Sequence, residues 1–295
     1  MFKPKNLSLK NIKSYSIDLK QYSQFNEAGN MDKWFTKEAI QMYIAYIHKR
    51  YKPKSIKRKI ASLKAFFRYL EMEEFIKSNP FNKIQVKYKE TFTLPKTIPL
   101  KSIEVLINFA YREYKTQATQ YSKKIALRNI VIIELLFATG MRVSELCNLT
   151  IKQIDLSEYS IKILGKGSKE RLIQICNKNI QCIINEYIKI FNYEIKHYDY
   201  FFTNKLHNRL SEQSVRNIIK KYVINSGLQT HITPHMFRHS FATQLLEEDV
   251  DIRYIQQMLG HNSITTTQIY THISINKQRD ILSTKHPRNN FEVTI

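Results

Sequence analysis

The segment from Lys87 to Pro99 contains Pro95 and Pro99 and no apolar periodicity, whereas the stretches on either side repeat apolar residues at helical spacing. Proline removes a backbone donor, and a segment without a period has no face to bury, so it reads as a linker. The expected division is a helical domain over residues 1–90, a linker over 91–99 and a larger domain over 100–295. A chain of 295 residues is long enough for each domain to bury a core of its own.

In the first domain Ile12, Tyr15, Leu19 and Tyr22 mark one helical face, and Ile56, Ile60, Leu63, Phe67 and Leu70 another. A third helix is expected over 36–48 with Thr36 as N-cap, and Asn79-Pro80 ends the last regular stretch. Beyond the linker, an apolar run from Ile125 to Phe137 ends at Thr139-Gly140, where glycine can take the left-handed C-terminal position. A short helix carrying Arg142 and Glu145 comes next. Ser160 to Leu164 and Arg171 to Ile175 flank Gly165-Lys166-Gly167-Ser168 and read as a β-hairpin with lysine at its tip. Ser211 to Ile224 reads as a helix closed by Gly227, and Thr233-Pro234 as an N-cap followed by proline at the first helical position. The expected class is mainly α, with a small antiparallel β-sheet in the second domain.

Charge narrows the partner. The chain holds 47 Lys and Arg against 25 Asp and Glu, and residues 1–90 alone hold 20 against 8. Its 43% hydrophobic content is too high for a disordered basic tail. The densest run is Lys49, Arg50, Lys52, Lys54, Lys57, Arg58 and Lys59, which suits a polyphosphate backbone that releases counterions on binding. The competing reading is a solvated helix face. Membrane binding is disfavoured because the run lacks bulky apolar residues on an opposite face. The odd set Cys147, Cys176 and Cys182 has no CxxC spacing, so neither a disulfide framework nor a zinc ribbon is encoded. No signal-peptide core and no uninterrupted apolar run of about 18 residues occurs, and a cytoplasmic location is expected.

His235, Arg238, His261 and Tyr270 cluster near expected helix ends in the C-terminal half. His235 and Arg238, three apart after Pro234, lie on one side of a helix and can share a phosphate. Taken singly, each has an ordinary explanation: a hydrogen-bonded histidine, a surface ion pair, one of 18 tyrosines. A zinc site on His235 and His239 is disfavoured, since Arg238 intervenes and the Glu of HExxH is missing.

As a set, these segments resemble the tyrosine recombinase (integrase) family, and Xer recombinases in particular. Ala138-Thr139-Gly140-Met141-Arg142-Val143-Ser144-Glu145-Leu146 is similar to the family's first arginine box, and Gly165-Lys166-Gly167-Ser168-Lys169-Glu170-Arg171 to its hairpin lysine. His235-Met236-Phe237-Arg238-His239 resembles its HxxRH box. Leu259-Gly260-His261 and Thr265-Thr266-Thr267-Gln268-Ile269-Tyr270 resemble its last histidine and nucleophile boxes. The resemblance implies a SAM-like core-binding domain followed by an α+β catalytic domain, with residues 11–87 corresponding to the former. Asp249 stands where many relatives have glycine, though aspartate tolerates a left-handed backbone.

The resemblance also implies the site: catalytic Arg142, Lys166, His235, Arg238 and His261, with Tyr270 as nucleophile, no metal and no cofactor. Arg142 and Arg238 would clamp the phosphate, since a guanidinium forks onto two oxygens as lysine cannot. Lys166 would protonate the leaving 5′-oxygen, His235 would accept or relay the tyrosine proton, and His261 would hydrogen-bond the phosphate. Glu145 is expected to orient an arginine.

The leading reading is an Xer-like site-specific recombinase for chromosome or plasmid dimer resolution, acting as a homo-tetramer on double-stranded DNA with paired half-sites. A translocase or accessory factor is a further expected partner. Ile275, Ile281 and Leu282 mark a helix over about 274–286; the resemblance implies that it docks on a neighbouring protomer, and the competing reading is packing back on its own domain. Alternatives are a mobile-element integrase of the same chemistry, a DNA-binding regulator without activity, and a type IB topoisomerase. A covalent DNA complex excludes the regulator, and junction products exclude the topoisomerase.

Overall fold

The computed structural model describes residues 9–26, 34–86, 96–165, 170–260 and 275–291. The chain divides into two compact units, Met1–Thr93 and Leu94–Ile295. No described helix is long and apolar enough to cross a membrane.

The first unit is helical: α1 (Leu9–Asn26), α2 (Lys37–Arg50) and α3 (Pro53–Met72), then a short 3-10 turn at Pro80–Lys83. Its local signals are obeyed. Thr36 caps α2 by accepting from the Ala39 N–H at 3.2 Å, Pro53 opens α3, and Asn79 caps the 3-10 turn by accepting from the Phe81 N–H at 3.0 Å. The apolar faces meet in one core containing Tyr22, Ile40, Tyr43, Ile47, Ile56, Ile60, Leu63 and Phe67.

The second unit is built around α5 (Gln120–Thr139), which follows α4 (Leu100–Thr116). Every α5 residue from Ala126 to Thr139 is buried, as a helix apolar all round requires. Arg128 donates to the Thr203 carbonyl through Nη1, and Glu134 accepts from Tyr111 and Arg288. After α6 (Val143–Cys147) come β1 (Ile154–Asp155), β2 (Ser160–Leu164) and β3 (Glu170–Gln174), a meander of antiparallel strands in the order β1-β2-β3. The second hairpin strand thus starts and ends one residue earlier than its apolar pattern suggests.

Helices α7 (Lys178–Ile190), α8 (Asn192–His197), α9 (Glu212–Asn225), α10 (Pro234–Glu247) and α11 (Ile252–Leu259) follow, and α7, α9 and α10 pack on α5. Ser211 caps α9, whereas Thr233 occupies the N-cap of α10 without a side-chain bond, so proline alone pre-sets that first turn. Asp249 does adopt a left-handed backbone, φ 59°.

Helix α12 (Ile275–Lys285) lies against β3 of its own unit, with Ile281 and Leu282 in the core and Gln278 donating to the Leu172 carbonyl at 3.0 Å. Past it, Arg288 is fully buried and donates to both Glu134 oxygens at 2.9 and 2.6 Å. Within the single chain, therefore, residues 275–291 dock on their own unit.

Candidate active site and nucleic-acid interface

The site begins where α5 ends. Gly140 is the helix C-cap, with φ 57° in the left-handed region, and a Cβ there would lie 2.8 Å from Leu259 Cδ2 and 2.9 Å from Phe241 Cδ1. The turn delivers Arg142 to the N-cap of α6. Its backbone N–H donates to Glu145 Oε2 at 2.7 Å and its Nη1 to Glu145 Oε1 at 2.7 Å. The three-residue spacing is thus a reach-back cap that also fixes the arginine side chain. That side chain remains 35% exposed, enough to meet a ligand.

Arg238, from α10, is 6% exposed. Its Nη1 donates to the Gly140 carbonyl at 2.9 Å and its Nη2 to the Leu259 carbonyl at 2.6 Å. Both acceptors lie at helix C-termini, where carbonyls lack intrahelical partners and the helix dipole is negative. Burial, then repulsion from Arg142 and Arg171, pushes the Arg238 guanidinium down to about 10, still cationic at neutral pH.

His235 is one turn earlier on α10 and exposed. Desolvation, then repulsion from His239, Arg216, Arg238 and Arg142, holds it below the ordinary imidazole range. At neutral pH it is uncharged and able to accept a proton.

Arg171 carries no expected role in the sequence pattern, yet β3 sends this side chain into the same cluster. Its Nη1 and Nη2 donate to Glu145 Oε1 and Oε2 at 3.1 and 2.7 Å, and its Nε to the Met258 carbonyl at 2.8 Å. Burial alone would raise the Glu145 carboxyl. The bonds from Arg171 and then Arg142 outweigh it and hold the group below the usual carboxylate range. Three guanidiniums around one carboxylate leave a surplus of positive charge, the electrostatics of an anion site. The structure thus brings together Arg142, His235 and Arg238. Lys166, between β2 and β3, together with His261 and Tyr270, lies outside the described residues.

The basic run of the first unit is more divided than its sequence suggests. Lys49, Arg50, Lys52, Lys54, Lys57 and Arg58 are exposed, but Lys59 is 2% exposed and cannot serve as a phosphate contact. It pairs with the buried Asp18 at 3.2 Å, and Arg58 and Ser62 share the same carboxylate. Burying Asp18 without these donors would cost several kcal/mol, roughly 3 to 5 on removal of a partner. The expectation for Lys59 is therefore corrected: it is a structural counter-ion.

Residues 103–277 match the Phage integrase family, and residues 1–74 match the Phage integrase N-terminal SAM-like domain. The chain belongs to the phage integrase family. Among tyrosine recombinases of this family, it is 51% identical over 288 residues to a tyrosine recombinase of Agathobacter rectalis, covering 97% of this chain and 94% of the relative. It is 36% identical over 292 residues to tyrosine recombinase XerD of Halalkalibacterium halodurans, covering 96% and 94%. In fold it is similar to the XerH site-specific recombinase solved in a pre-cleavage complex with difH substrate. That match has a TM-score of 0.67 at 23% identity and covers 91% of this chain and 79% of XerH.

Proposed function

We propose that this tyrosine recombinase is an Xer-like site-specific enzyme that cleaves and rejoins duplex DNA to resolve chromosome or plasmid dimers. The observation that carries the reading is the pair Arg142 and Arg238, each fixed by protein acceptors beside a neutral His235, a preformed cradle for a phosphodiester. The XerC-like and XerD-like identity over nearly the whole chain supports the same reading.

In the proposed reaction the Tyr270 hydroxyl attacks the scissile phosphorus in line and passes its proton to His235. The bond from phosphorus to the 5′-oxygen breaks, Lys166 protonates that oxygen, and a 3′-phosphotyrosine and a 5′-hydroxyl result. Arg142, Arg238 and His261 stabilise the charge on the non-bridging oxygens. One phosphoester replaces another, so religation to a second strand needs no ATP. Metal would have no step to perform.

A homo-tetramer on two DNA sites, each with paired half-sites, would exchange strands through a Holliday junction. The solved lambda integrase tetramer bound to such a junction supports this assembly by its fold. The exposed bases from Lys49 to Arg58 would contact backbone phosphates. Exchange of α12 between protomers would require unseating Ile281, Leu282 and Arg288 from their own unit. A translocase or accessory factor would then act on that assembled complex. Incubating the protein with two copies of its native site tests the proposal: four-way junction and recombinant products are expected. Relaxation of supercoils by monomers without junctions would contradict it.

A further inference from the structure

Arg171 joins three elements through one side chain. It leaves β3 five residues after Lys166 in the sequence, reaches Glu145 on α6 with both terminal nitrogens, and reaches the last turn of α11 with Nε. Only 8% of its side chain is exposed, and Glu145 is 7% exposed, so water contributes little to either group. A Cβ on Gly260 would lie 3.2 Å from Arg171 Cδ, so glycine at the α11 C-cap leaves room for this crossing.

Charge balance gives the crossing a consequence. Glu145 accepts four hydrogen bonds, two from Arg142 and two from Arg171. With Arg142 as its only partner, the buried carboxylate and the Arg142 guanidinium would form a neutral pair, and the field of Arg142 at a bound phosphate would be largely cancelled. With Arg171 present the carboxylate is neutralised from behind. It still orients Arg142, whose positive charge stays available to the ligand.

We propose that Arg171 is a positioning residue for DNA cleavage, which offsets the charge of Glu145 so that Glu145 can aim Arg142 without silencing it, and which ties that pair to the end of α11 beside the Arg238 anchor. The inference rests on the cleavage chemistry proposed above.

The test is single-turnover formation of covalent protein-DNA complex on a nicked substrate, with DNA affinity and melting temperature measured alongside. Arg171→Gln is expected to slow cleavage by about tenfold or more while leaving affinity nearly unchanged, the scale typical of groups that orient a reacting shell. Adding Glu145→Gln removes the uncompensated charge and is expected to restore at least about threefold of that loss. A role confined to stapling the fold predicts no such rescue, because the double variant loses further hydrogen bonds. A double variant no faster than Arg171→Gln alone, or a single variant as fast as the parent, overturns the proposal. Should Arg171→Gln fail to fold, Arg171→Lys keeps the charge and loses the fork. Its folded fraction is then expected to cleave within a few-fold of the parent, because the charge that offsets Glu145 remains, and a loss of about tenfold or more overturns the inference. A parent protein that forms no covalent complex refutes the cleavage chemistry itself, and shows this before any variant is compared.

Discussion

Arg238 Nη2 donates to the carbonyl oxygen of Leu259 at 2.6 Å, so the central arginine of the HxxRH segment is fixed by the last turn of the helix that leads into His261. The same guanidinium holds the Gly140 carbonyl at the end of α5. Two helix C-termini and one arginine thus form a single unit, and the cation is placed before any DNA arrives. Such preorganisation is what makes a charge useful in a transition state.

Arg238→Lys keeps a positive charge but can no longer fork between Gly140 and Leu259. Cleavage is expected to slow by about 100-fold or more, while DNA affinity changes little, because most affinity comes from backbone contacts elsewhere. Single-turnover cleavage beside an equilibrium binding titration separates the two. Parental cleavage by the lysine variant would remove the forked clamp from the mechanism.

The division within the basic run gives opposite expectations for neighbouring lysines. Replacing Lys49, Lys52 and Lys54 together by Gln should flatten the slope of log affinity against log salt by up to roughly 2.7, about 0.9 per lost phosphate contact. Lys59→Gln should leave that slope unchanged and lower the melting temperature, since it strips a partner from buried Asp18. An unchanged slope in the triple variant would make the run a solvated face.

Much of this architecture is legible locally. Thr36, Pro53, Asn79, Ser211 and Pro234 mark element starts because capping is a short-range interaction. The shared side of His235 and Arg238 follows from helical spacing alone. Lys59 is a case where the available signal points the other way from the charge run. It lies three residues after Ile56 and four before Leu63, on the buried stripe of α3, and the run of charge masks that position. Arg171 is different in kind. Its carboxylate partner is 26 residues away on another element, and strand alternation gives a facing direction without naming what is faced.

Acid should loosen the C-terminal dock. Burial pushes His286 down to about 4, where its Nε2 donates to the Phe137 carbonyl and its Nδ1 accepts from the Arg288 N–H, a neutral tautomer. Below the ordinary imidazole value the unfolded chain binds more protons than the folded one, so stability falls with falling pH from about 6.5 to about 4. Denaturant unfolding across that window should show this slope in the parent and lose it in His286→Gln. Equal slopes in both would assign the acid sensitivity to other groups.

Lys166 can be tested as the proton donor by changing the leaving atom. Lys166→Ala should slow cleavage of ordinary DNA by about 100-fold or more, and far less when the bridging 5′-oxygen is sulfur, because a thiolate departs without a proton. Equal defects on both substrates would take Lys166 out of that role.

Tyr270 is the residue proposed to form the bond to DNA. Tyr270→Phe deletes one oxygen and leaves Arg142, Arg238 and the exposed basic residues in place. The most direct measurement is covalent capture on a nicked DNA carrying the native site, followed by mass mapping of the adducted peptide. A 3′-phosphotyrosine at Tyr270 is expected in the parent, and in Tyr270→Phe no adduct with DNA affinity retained. An adduct of normal yield in Tyr270→Phe, or one mapped to another tyrosine in the parent, would overturn this assignment.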